Sequence, residues 1–228
     1  MPQSTYTISK SSRRDVARLG QIAASTWDKD KNTQVKLMGT KPGAFAEGMA
    51  MGIQHYTDST SSVVIKATDD RDGKIVGFCA WGFRNSAFDG QIVKDETTIP
   101  GAERIKELEA MTGKHLNDFF EKRLRDGSKS IFVGMTAVDP GYKGVGVGSQ
   151  LMSWGTEHAD RLGASMWVHA SEAGWPLFEK HGFKEVDRLT IDLDEWAVGP
   201  PPKDGAFGDS EKWGQYTFRY GGRQPASA

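Results

Sequence analysis

The chain has 228 residues, 37% of them hydrophobic and 26% charged, with a net charge of −1. That balance fits a globular fold of one ordinary domain or two small ones, and it offers no overall basic field for nucleic acid. A single cysteine, Cys79, excludes an internal disulfide and a four-cysteine metal site. There is neither an N-terminal apolar segment nor a run of 18 apolar residues, so secretion and membrane spanning are not expected; a cytosolic or nuclear compartment follows by elimination, and a cytoplasmic location is the expectation.

Tyr6 to Ser9 reads as a short strand, and Ser11 or Ser12 caps a helix over 13–27 with Val16, Leu19, Ile22 and Ala23 on one face. The polar stretch 28–40 reads as a loop, and Pro42 opens a helix through Phe45, Met49 and Ile53 towards Tyr56. Strands over 62–68 and 74–83 are joined by Asp70-Arg71-Asp72-Gly73, which predicts an antiparallel hairpin. Residues 84–101 lack periodicity and read as a loop, and 102–125 as a long helix. An apolar strand follows over 131–138, then a helix from about Ser149 to Gly163 with Leu151, Trp154 or Gly155, Ala159 and Leu162 inward. A strand over 165–169 and a two-turn helix ending at Gly182 come next. The stretch 183–193 alternates as a bulged strand would, and the proline run from Gly199 leads to a returning strand over 213–220. The reading is one mixed α/β domain over 1–220 with a disordered tail at 221–228.

The glycines at 144, 146 and 148 sit between the apolar strand and the amphipathic helix. Alternate glycines let a ligand approach the backbone, and successive N–H groups at a helix N-terminus can cradle a phosphate or pyrophosphate. A dinucleotide fingerprint fails, because its third glycine would fall at Ser149 or Leu151. The lysine and hydroxyl pair of the nucleotide-triphosphate loop is absent too.

The segment Val138-Asp139-Pro140-Gly141-Tyr142-Lys143-Gly144-Val145-Gly146-Val147-Gly148-Ser149 resembles motif A of the GNAT superfamily of N-acetyltransferases. That motif is Gln/Arg-x-x-Gly-x-Gly/Ala after a strand ending in Val-x-Pro. Here Lys143 stands at the Gln/Arg position and Gly146 and Gly148 at the required glycines. A second block, His169-Ala170-Ser171 followed by Leu177-Phe178-Glu179-Lys180-His181-Gly182-Phe183, resembles the family's strand and its Leu-Tyr-Glu-Lys-x-Gly-Phe helix. The resemblance implies a mostly antiparallel mixed sheet with a central βαβ unit flanked by helices, and acetyl-CoA as cosubstrate.

Carried over, it puts the pantetheine arm beside Thr136, Ala137 and Val138, the pyrophosphate on the N–H groups from Lys143 to Ser149, and an oxyanion donor at the Val138 N–H. The family's usual thiolate-protonating tyrosine is Phe178 here, which leaves Ser171 as a substitute donor or an unassisted leaving thiolate. His169 is the first candidate base, because imidazole titrates near neutral pH, and His115 is a weaker one. Trp27, Phe45, Trp81 and Trp175, with His115, are expected around the acceptor cleft. The histidine spacing suggests no metal site. The expected activity is acetyl transfer to a small-molecule amine in a ternary complex, by a monomer or homodimer without nucleic-acid or membrane partners. The alternatives are a protein acetyltransferase acting on lysine or an N-terminus, and a non-catalytic CoA-binding module.

Overall fold

A computed structural model of the protein describes residues 5–84, 103–123, 127–203 and 210–226. One sheet organises them: β1 (Tyr6–Lys10), β2 (Ser62–Asp69), β3 (Ile75–Arg84), β4 (Ser130–Val138), β5 (Ser165–Ala170), β6 (Lys184–Asp192) and β7 (Gln215–Arg223), in the order β1-β2-β3-β4-β5-β7-β6. Only β4 and β5 run parallel, so the sheet is mixed and mostly antiparallel around a central βαβ unit, as expected. The helices are α1 (Val16–Trp27), α2 (Lys31–Leu37), α3 (Ala44–Asp58), α4 (Glu103–Arg123), α5 (Val147–Leu162) and α6 (Trp175–Lys180).

Apolar periodicity decides which face each helix covers. On α5 the inward residues Leu151, Met152, Gly155 and Ala159 meet Val76, Trp81 and Met166. On the other face α1 and α3 bury Leu19, Ile22 and Ile53 against Val64, Phe78 and Ala80. Those two helices approach closely, since a Cβ at Gly20 would lie 2.8 Å from the Ala46 carbonyl oxygen. A third cluster joins Val35 of α2 and Leu108 and Phe119 of α4 to Tyr216, Phe218 and Tyr220 of β7.

Three boundaries differ from expectation. The polar stretch 28–40 contains α2, because the Asp30 carboxylate accepts the Thr33 N–H at its start and Val35 is buried. Helix α5 begins at Val147, two residues early, with Gly146 as its N-cap. The expected tail at 221–228 is structured as far as Ala226: β7 runs to Arg223, whose guanidinium holds Asp160 through two 2.8 Å bonds, and the Ala226 N–H donates to the same carboxylate. The loop expected over 84–101 lies, apart from Arg84 in β3, outside the described residues.

Candidate functional site

β4 pairs with β5 only from Ser130↔Ser165 to Val133↔Val168. Beyond that point β5 keeps β7, through His169↔Tyr220 and Ala170↔Arg219, while residues 134–138 of β4 have no β5 partner. The register explains where they part. Ala80 faces Met135 and Trp81 faces Val133, so Gly134 is an extra residue, a bulge that bends the strand. Gly134 is exposed although it lies in the middle of the sheet.

The Asp139 N–H donates to the Val76 oxygen at 2.8 Å. Alternation along the strand then turns Ala137 and Met135 towards β3, and the backbone N–H groups of Thr136 and Val138 towards the gap. The end of this edge is fixed from outside: the Thr26 hydroxyl lies between two carbonyl oxygens, Ile22 at 2.7 Å and Val138 at 2.9 Å, and the Arg18 guanidinium pairs with Asp139 at 2.7 Å.

After β4 the chain makes a short 3-10 turn, Pro140–Tyr142, whose start the Asp139 carboxylate caps by accepting the Gly141 N–H. Gly144 and Gly146 then take φ of +82° and +97°, the left-handed region that L side chains rarely enter. This folds the loop back so that α5 starts beside the gap. The Gln150 N–H already bonds the Gly146 oxygen. The N–H groups of Val147, Gly148 and Ser149 precede that first helical bond and point out of the helix end with its positive partial charge. Gly146 has no side chain to cap them. Lys143 is exposed on the loop, and the Lys180 ammonium reaches across from α6 to the Ser149 hydroxyl at 3.3 Å. Open N–H groups flanked by two lysines fit a pyrophosphate, and the neighbouring strand edge fits an extended arm.

On the face opposite α5, His169 lies flat against Tyr220 (4.8 Å between ring centroids) and near Phe218 (4.4 Å). Its Nε2 is buried and makes no hydrogen bond among the described residues. Burial, and then the charges of Lys36 and His115, push its pKa down to about 4. This corrects the expectation that it titrates near neutral pH: the ring is held neutral because an imidazolium there would be desolvated. His115 turns from α4 to the sheet, its Nδ1 2.9 Å from the Tyr220 hydroxyl. Lys36, half-buried and with its pKa lowered by desolvation, is 3.9 Å from Glu109.

The aromatic residues divide. Trp27 is half-buried at the end of α1, on the same face as His169, and Phe45 is half-buried in the first turn of α3. Trp81 and Trp175 do not line that face, contrary to expectation. Trp81 is fully buried on the α5 side, its ring filling the space where a Gly155 side chain would begin. Trp175 packs on Gly221 and Val168 beneath α6, again on the α5 side. Phe178 is buried edge-on to Phe183. The Ser171 Oγ accepts the Gly174 N–H at 3.1 Å, which leaves its own O–H to donate elsewhere. Among the described residues no group of three metal-binding side chains lies together, and no helix is long and apolar enough to cross a membrane.

One residue at the gap escaped the sequence reading. Tyr56, near the end of α3, lays its ring and hydroxyl over the bare Cα of Gly134. A glycine inside an apolar strand is the signal that something approaches there.

The sequence profile described as Acetyltransferase (GNAT) family matches residues 43–183. No curated protein matches the sequence. Among solved structures, mosquito arylalkylamine N-acetyltransferase like 5b shares the fold with a TM-score of 0.59 at 15% identity, over 96% of this chain and 100% of that one. The ribosomal-protein-S18-alanine N-acetyltransferase of Escherichia coli gives 0.52 at 14%, over 98% and 96%. YncA of Salmonella typhimurium, solved with its cofactor acetyl-CoA, gives 0.50 at 14%, over 98% and 95%. Identities this low establish a shared fold only.

Proposed function

The chain belongs to the acetyltransferase (GNAT) family, and we propose that it moves the acetyl group of acetyl-CoA directly to the amine of a small molecule. The observation that carries this reading is the juxtaposition of an unpaired central strand edge, residues 134–138, with the open N–H groups at the start of α5. The loop from Lys143 to Ser149, with Lys180, holds the donor's pyrophosphate. The Thr136 and Val138 N–H groups receive the pantetheine arm and stabilise the thioester oxygen as charge builds on it.

Direct transfer is favoured over an acetyl-enzyme. Cys79 is the chain's sole cysteine, it is fully buried, and burial pushes its thiol pKa up, so no thiolate is at hand. His169 stays unprotonated at ordinary pH. It is too weak a base to strip an ammonium ion, so the amine reacts from its own free-base fraction. Ser171 donates to the departing thiolate in place of the hydroxyl that Phe178 lacks.

A small acceptor is favoured over a protein tail by the half-buried Trp27, an apolar wall suited to a compact amine. The test is CoA thiol release across a library of small amines, amino acids and lysine or N-terminal peptides. Release with small amines supports the reading. Release with peptides alone contradicts it.

A further inference from the structure

We propose that the Tyr56 hydroxyl is an acceptor-binding group, its oxygen taking a hydrogen bond from the incoming amine and aiming the nitrogen lone pair at the thioester carbon. This deepens the acetyl-transfer reading and rests on it. The argument starts from where the gap ends. Its open end lies at the pyrophosphate loop, and it closes where Val133 pairs with Val168. An arm running inward from the loop along β4 therefore brings its reactive end beside Gly134 and Thr136, two residues and about 6–7 Å apart along the strand.

At that closed end α5 occupies one face of the sheet, so a nucleophile must come from the other. Tyr56 stands there. Its hydroxyl and ring edge fill the position from which a side chain at residue 134 would project, and the residue as a whole is only half-buried. α3 is anchored so that this placement is fixed. Ile53, one turn earlier, is fully buried against the sheet, and the Tyr56 carbonyl accepts the Ser62 hydroxyl at 2.7 Å. Glycine at the bulge thus does two things: it lets the strands part, and it leaves room for a phenol at the point of attack. His169, the residue after Val168, borders the same spot from β5. The chemistry balances without Tyr56 changing its covalent state. The C–N bond forms, the C–S bond breaks with its electron pair leaving on sulfur, and the surplus N–H proton passes to water.

Three variants test it: Tyr56→Phe, Gly134→Ala and the double substitution, each assayed for kcat/KM with the best amine of the library, acetyl-CoA Kd and Tm. Tyr56→Phe keeps the ring, so acetyl-CoA affinity and Tm should stay near wild type while kcat/KM for the amine falls at least tenfold. Gly134→Ala drives a methyl into the phenol and should give a similar loss, and adding Tyr56→Phe to it should cost little more. A kcat/KM within twofold of wild type in Tyr56→Phe, or losses that simply multiply, would overturn the proposal while leaving acetyl transfer standing. A wild-type protein that binds acetyl-CoA yet releases no CoA with any amine overturns both.

Discussion

Gly146 is the position where the proposed pyrophosphate cradle can be blocked with little damage to the fold. Its φ of +97° costs an L residue about 1–2 kcal/mol, which for a chain of this size lowers Tm by roughly 2–8 °C. A Cβ there meets no atom within 4 Å, so no internal clash adds to that strain. The effect on the ligand is larger. Hydrogen bonds from neutral donors to a charged acceptor contribute about 1.5–3 kcal/mol each. Losing two of the three open N–H contacts from Val147, Gly148 and Ser149 therefore weakens binding by about 3–6 kcal/mol, on the order of 10²–10⁴ in Kd. Titration calorimetry with CoA, beside a melting curve, separates the two effects. Gly146→Ala should lose Tm but keep Kd within about tenfold, having no bulk to obstruct the phosphates. Gly146→Trp should lose similar Tm and at least a hundredfold in Kd. A tryptophan variant that binds CoA like wild type would refute the placement of the pyrophosphate.

The neutral His169, its Nε2 buried, makes stability depend on acid. Its folded pKa of about 4 lies below the usual 6.5, so the unfolded chain takes up the proton first, and stability present above pH 6.5 is lost as pH falls to 4. The shift corresponds to about 3 kcal/mol, and His158 and His181, also lowered, act in the same direction. Urea unfolding at pH 7 and 4.5 should show a smaller acid loss for His169→Phe than for wild type; equal losses would mean the imidazole is not buried as described. Trp81→Phe should lower stability by roughly 1–3 kcal/mol and leave the amine KM unchanged, whereas a shifted KM at full stability would return Trp81 to the acceptor wall. Removing residues 221–228 takes three paired residues from β7 together with the Arg223–Asp160 contact, and should lower Tm markedly. A truncated chain melting with the full one would show that this segment holds nothing.

Local rules carried much of the fold. The glycine spacing marked a helix start that the backbone reaches through positive φ at Gly144 and Gly146, and Gly163 ends α5 at φ 62° as a stop signal should. The stripe on α1 buried the residues its spacing chose. What failed depends on partners distant in sequence. α2 hides in polar residues because one buried valine and one capping aspartate suffice once α4 and β7 surround it. Trp81 and Trp175 fall on the α5 side: the direction of Trp81 follows strand parity and register, which the sequence leaves open until β3, β4 and α5 are assembled, and Trp175 goes where α6 packs. His169 was found, but its low pKa comes from Tyr220, Phe218 and Lys36, on elements the strand itself does not reveal. Tyr56 was passed over for the same reason: its partner is a bulge 78 residues away.

The most direct measurement is a crystal structure of the protein with acetyl-CoA. The account predicts the diphosphate on the amides of Val147, Gly148 and Ser149, the arm bonded to Thr136 and Val138, and the acetyl group beside Gly134 beneath Tyr56. A nucleotide bound elsewhere, or β4 and β5 paired past Val133 and Val168 with the ligand present, would contradict it.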